Sequence, residues 1–128
     1  MKLKELLEDA KIRLRIVRDD YISLNTEMNS TAELSRLEKQ SVDMYNKDFN
    51  MDLKEPVFYF NRIKAREEGK GEGTLMMKEL IKILDEKKVT VINELNPYGN
   101  LNLEDLQKFY SKYGFVKKQD QLMIRKPK

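Results

Sequence analysis

Three alternating glycines, Gly69, Gly71 and Gly73, lie between an aromatic, β-branched run and an apolar stripe of helical spacing. No other feature constrains the fold as strongly. Val57-Phe58-Tyr59-Phe60 is too rich in strand formers to be a helix, and predicts a central strand opened by Pro56 and continuing through Ile63 and Ala65. Leu75, Met76, Leu80, Ile81 and Leu84 predict a helix that begins near Thr74 and ends near Lys87. Between the two, glycine removes Cβ atoms and permits positive φ, so the backbone can approach a ligand closely. The first amides of a helix are unpaired and carry the positive end of its dipole. Strand, glycine turn and helix in that order therefore suit a phosphate, with Lys70 adding positive charge. Taken alone, the glycines are equally readable as a flexible turn. Their spacing is neither G-x-x-x-x-G-K-[ST] nor G-x-G-x-x-G, which weakens nucleotide-triphosphate and dinucleotide readings.

Around this unit the chain reads as one α+β domain with a mixed sheet flanked by helices. Leu3, Leu6, Leu7 and Ala10 predict a helix, and Ile12, Leu14 and Ile16 a half-buried strand, with one helix over residues 2–18 as the alternative. Asp19-Asp20 predicts a turn, and Ile22 and Leu24 a returning strand over 21–25. A helix over 31–46 is expected next, capped by Ser30 or Thr31, with Leu34, Leu37, Met44 and Tyr45 on one face. Residues 48–55 lack periodicity and predict a loop. Residues 89–94 predict a strand. Leu103, Leu106, Phe109, Tyr110 and Tyr113 predict a short helix stopped by Gly114. Two closing strands, 115–117 and 122–124, are expected to meet across Gln119-Asp120, followed by a basic tail from Arg125.

Composition narrows the chemistry. With 128 residues the chain suits a single domain that buries about two-thirds of its unfolded surface. It has no Cys and no His, which excludes a thiol nucleophile, thiolate or imidazole metal ligands and the usual neutral-pH base. Chemistry is left to carboxylates, Tyr, Ser, Thr, Lys or backbone. Twenty-five Lys and Arg against twenty-two Asp and Glu give a net charge of +3 with both signs interspersed, so charge names no partner. No apolar run approaches the roughly 20 residues of a membrane span, and the first ten residues do not resemble a signal peptide; a cytoplasmic location is expected. Lys117, Lys118, Arg125, Lys126 and Lys128 raise nucleic-acid binding as a third class, but without a patterned aromatic and basic platform.

Two segments carry a family resemblance. The glycine segment resembles the pyrophosphate loop of the GNAT acetyltransferases, whose pattern is Gln or Arg, two residues, Gly, one residue, then Gly or Ala. Arg66-x-x-Gly69-x-Gly71 and Glu68-x-x-Gly71-x-Gly73 both fit, and the second is better placed against the helix, although it puts Glu68 where the family has Gln or Arg. Phe109-Tyr110-Ser111-Lys112-Tyr113-Gly114-Phe115 is similar to the family's later F-Y-x-x-x-G-F segment. With the order strand, loop, helix, strand, helix, strand around them, the resemblance covers residues 57–124, about half the chain.

The resemblance implies a GNAT-like acyl-CoA N-acyltransferase fold with residues 1–55 as a variable acceptor-side half and 56–128 as an acetyl-CoA-binding half. It implies acetyl-CoA as acyl donor, no metal, and a primary amine, of a small molecule or a protein, as acceptor. Ile63, Lys64 and Ala65 would hold the pantetheine arm and polarise the thioester, and Glu68, Gly69, Lys70, Gly71, Glu72, Gly73 and Thr74 would cradle the pyrophosphate. Tyr110 would protonate the departing thiolate; read from the residues alone, it is a core aromatic. The family often carries Asn seven positions before that tyrosine; here Leu103 stands there, and Asn102, one place earlier, is a cofactor contact or simply a helix cap. Glu94, near the end of its strand, is the candidate base for the amine. Oligomeric state is open, a homodimer included. The runner-up is an inactive relative, of the kind phages use to modulate host proteins, that binds a protein through the helix expected at 31–46.

Overall fold

The computed structural model describes residues 12–27, 30–64, 72–96 and 102–128. The helix expected around Leu3 to Ala10 lies outside these residues. Among the described residues ten elements follow one another: β1 Ile12–Val17, β2 Tyr21–Thr26, β3 Thr31–Arg36, α1 Lys39–Asp48, β4 Val57–Lys64, α2 Glu72–Lys87, β5 Thr90–Glu94, α3 Leu103–Ser111, β6 Val116–Gln119 and β7 Leu122–Arg125. The strands form one seven-stranded mixed sheet in the order β1-β2-β3-β4-β5-β7-β6. All neighbours are antiparallel except β4 and β5, the pair separated by α2.

The first strands form a meander. Ile12 to Val17 is a strand, so the single helix over 2–18 is excluded. A register shift between Ile12 and Leu14 breaks the alternation and leaves Leu14 about half exposed on this edge strand. Arg18 N donates to Tyr21 O at 2.8 Å across the expected turn.

The helix expected over 31–46 is replaced by β3 and the shorter α1. Leu34 fits a helical face with Leu37, but it also has period two with Ala32. Pairing decides between them: Ala32 lies opposite Leu24 and Leu34 opposite Ile22, all four fully buried. Ser30 is not a helix cap. Its backbone closes the β2–β3 connection, with Ser30 N donating to Thr26 Oγ1 at 3.0 Å and Thr26 N to Ser30 O at 2.9 Å. On α1, Val42 and Tyr45 are buried, whereas Met44, expected on the same face, is half exposed.

Both faces of the sheet are covered. Alternation along β4 sends Phe58 and Phe60 to one side, where Met76, Met77, Leu80, Ile83 and Leu84 of α2 and Tyr110 of α3 meet them. Val57 and Tyr59 point to the other, with Val42 and Tyr45 of α1 and Ile92 of β5. A polar clamp joins α2 to β7. Arg125, 1% exposed, donates from Nη1 and Nη2 to the two carboxylate oxygens of Asp85 at 2.8 and 3.1 Å, and from Nε to Tyr113 O at 2.7 Å. Arg125 therefore belongs to β7 and the interior, not to a basic tail. Gly114 beside it has φ +91°, and a Cβ there would meet Arg125 Nε at 3.3 Å.

Candidate functional site: a cleft between two parting parallel strands

β4 and β5 pair over only three positions, Val57 with Thr90, Phe58 with Val91 and Tyr59 with Ile92. Beyond Tyr59 each strand follows its outer neighbour. The β4 register against β3 skips Asn61, with Leu34 opposite Phe60 and Glu33 opposite Arg62, and this bulge bends β4 away from β5. Asn61 Nδ2 donates to Ser35 Oγ beside it. β5 meanwhile stays with β7, Asn93 opposite Met123 and Glu94 opposite Leu122. The parting strands leave a cavity of about 240 Å³, lined by residues that include Phe60, Arg62, Ile63, Asn93, Glu94 and Tyr110. Past Tyr59 the β5-facing edge of β4 has no ladder partner among the described residues, so its backbone groups can serve a ligand as a neighbouring strand would.

The two walls differ. On the α2 and α3 face, Tyr110 is 4% exposed and packed among Phe60, Phe109 and Phe115, with ring centroids 6.2, 5.2 and 5.5 Å away. This packing fixes the ring while the side chain lines the cleft. On the α1 face, Glu94 accepts a hydrogen bond at Oε1 from Tyr45 Oη, 2.5 Å away. Burial first, then this bond and the Glu94 charge, push the Tyr45 phenol far above its ordinary range. Burial, followed by the Glu94 charge, also raises the Tyr59 phenol. Both remain neutral donors. An ionised carboxylate has about four lone-pair sites, so the Tyr45 bond orients Glu94 and leaves it able to accept a proton.

Asn93, between these walls, carries the one buried side-chain nitrogen or oxygen without a hydrogen-bond partner among the described residues, its Nδ2. The side chain is 4% exposed and lines the cleft. Leaving such a donor unpaired costs about 1–3 kcal/mol.

The expected site residues are distributed as follows. Tyr110, Glu94 and Ile63 come together in the cleft. Lys64 ends β4 opposite Thr31 and is exposed. Ala65, Glu68, Gly69, Lys70 and Gly71 lie outside the described residues, as does the side chain of Glu72. α2 begins at Glu72, two residues earlier than expected, so Gly73 and Thr74 fall within its first turn, where amides have no intrahelical partner. Asn102 caps α3, its Oδ1 accepting from Asp105 N at 2.8 Å. Among the described residues no cluster of acidic groups is arranged to hold a metal, and no helix is long and apolar enough to cross a membrane.

Sequence reasoning missed Asn93, Tyr45 and Tyr59. A signal existed for Asn93: in a strand, it shares the face of Val91, where a polar residue stands out. None existed for the bond between Tyr45 and Glu94, which are 49 positions apart.

Beside the cleft a second cavity of about 720 Å³ shares Glu94, Leu95 and Asn96 with it and extends past Phe49 to the β6–β7 turn. Its described charged liners are both carboxylates, Glu94 and Asp120. Compared with known proteins, the chain matches no family model, no curated protein and no solved structure.

Proposed function

We propose that the chain is a GNAT-type N-acetyltransferase that moves an acetyl group from acetyl-CoA to a primary amine. The observation that carries this reading is the cleft between β4 and β5, with a phenol on one wall and a carboxylate on the other. The element order from β4 onward, strand, glycine segment, helix, strand, helix, strands, is the one the resemblance implies and supports the same reading. So does the fit of the residues to the donor. The unpaired β4 edge and the orphaned Asn93 amide suit an amide-bearing arm, and the first turn of α2 suits phosphate.

Bound acetyl-CoA supplies an activated acyl group on sulfur. Amine attack forms a C–N bond and breaks the C–S bond, with no covalent enzyme intermediate, in keeping with a chain that lacks Cys and His. β4 amides near Ile63 and Lys64 steady the carbonyl oxygen as charge gathers on it. Glu94, oriented by Tyr45, takes the amine's proton directly or through water, and Tyr110 gives its phenolic proton to the departing sulfur from the opposite wall. The acceptor enters through the larger cavity, where the Glu94 carboxylate attracts an ammonium group, Asp120 being paired with Lys117 at 3.2 Å.

Thiol release measured with a panel of amines and lysine peptides tests the proposal, repeated with Glu94→Gln. Glutamine still accepts from Tyr45 but cannot take a proton. The expected result is a drop in kcat of about 100-fold with coenzyme A affinity retained. Acetyl-CoA binding without turnover on any amine would favour the alternative of an inactive, protein-binding relative.

A further inference from the structure

We infer that the Asn93 carboxamide binds an amide of the acyl donor's arm, a role that rests on the acyltransferase reading above. Three observations converge on it. The side chain is 96% buried by its 4% exposure, yet it lines the cleft and its Nδ2 has no partner. Its neighbours in the cleft on the same side of the sheet are the buried rings of Phe60 and Tyr110 and the half-buried Leu106, so among these the Tyr110 hydroxyl is the one other polar group. The β4 edge opposite is free of β5 beyond Tyr59, so an extended ligand between the strands would meet backbone groups on one side and Asn93 on the other.

Charge decides the class of ligand group. A carboxamide is neutral and both donates and accepts, so in a narrow cleft it suits a neutral group of the same kind. A phosphate or an ammonium would instead call for an opposite charge. The pantetheine arm carries amides, and an amide carbonyl oxygen pairs with Nδ2 while the neighbouring ladder-like contacts form along β4. Asn93 is thus a binding residue for the donor's arm, distinct from the groups that move protons.

The test compares coenzyme A with its adenosine bisphosphate end alone, which lacks the arm, by titration calorimetry on wild type, Asn93→Leu and Asn93→Val. Leucine keeps the size of the side chain, and valine is a good strand former should leucine pack badly. The expected result is a roughly tenfold weaker affinity for coenzyme A, the loss of one neutral hydrogen bond, with affinity for the bisphosphate unchanged. The variants should melt at or above the wild-type temperature, since an unpaired buried donor has been removed. Equal coenzyme A affinity in wild type and variants overturns the inference and leaves the acyltransferase reading standing. Parallel losses for both ligands also overturn it, because Asn93 then acts on the fold. Coenzyme A failing to bind the wild type removes both.

Discussion

Asp85→Asn should lower the melting temperature at neutral pH by about 10 °C, because it leaves the Arg125 guanidinium buried without a counter-charge. Removing one partner of a buried pair costs about 3–5 kcal/mol, and the low end applies here since the Asp85 side chain is 28% exposed. The clamp ties α2 to β7 and holds the backbone at Tyr113 and Lys128, so its loss loosens the sheet edge next to the F-Y-x-x-x-G-F segment. The pH dependence follows. Hydrogen bonds from Arg125, ahead of the smaller opposing effect of burial, hold the Asp85 carboxyl below its usual range. The folded state therefore binds this proton less readily than the unfolded state. Its stabilisation is complete above the ordinary Asp pKa of about 4 and is lost as pH falls through the lower folded value. Melting curves of wild type and variant should converge in acid. A gap that stays constant from neutral pH to below 3 would contradict the assignment.

Tyr110→Phe should reduce acetyl transfer by about 100-fold or more while leaving coenzyme A affinity within about twofold. The ring is retained, and with it the packing on Phe60, Phe109 and Phe115, so the melting temperature should change little. The loss should shrink with thioesters whose leaving thiols are more acidic, because those depart without a proton. Unchanged turnover in the variant would remove Tyr110 as the acid, and a loss independent of the leaving thiol would assign it to positioning.

What the sequence revealed, and what it hid, has a physical pattern. The run from Val57 to Phe60, the stripe from Leu75 to Leu84 and the Gly114 stop were legible because local spacing and pairing agree there. β3 was not, since Leu34 satisfies helical spacing with Leu37 as well as alternation with Ala32, and only the buried partners Leu24 and Ile22 settle the matter. Arg125 ends a short apolar strand and precedes a lysine, which reads as a tail; its partner Asp85 is 40 positions earlier. At the candidate site, Tyr110 and Glu94 could be named from a motif and a strand end. That they share one cleft depends on β4 and β5 parting, which follows from a bulge at Asn61 that no local pattern announces.

The proposed activity requires that the cleft take acetyl-CoA. A thermal unfolding series of the wild-type protein against rising acetyl-CoA tests this most directly. At about 100 times the dissociation constant the ligand should stabilise the fold by about 2.7 kcal/mol, a shift of roughly 5–15 °C, with an effect that saturates and is shared by coenzyme A. A melting temperature that does not move at millimolar acetyl-CoA would contradict acetyl-CoA binding in the cleft.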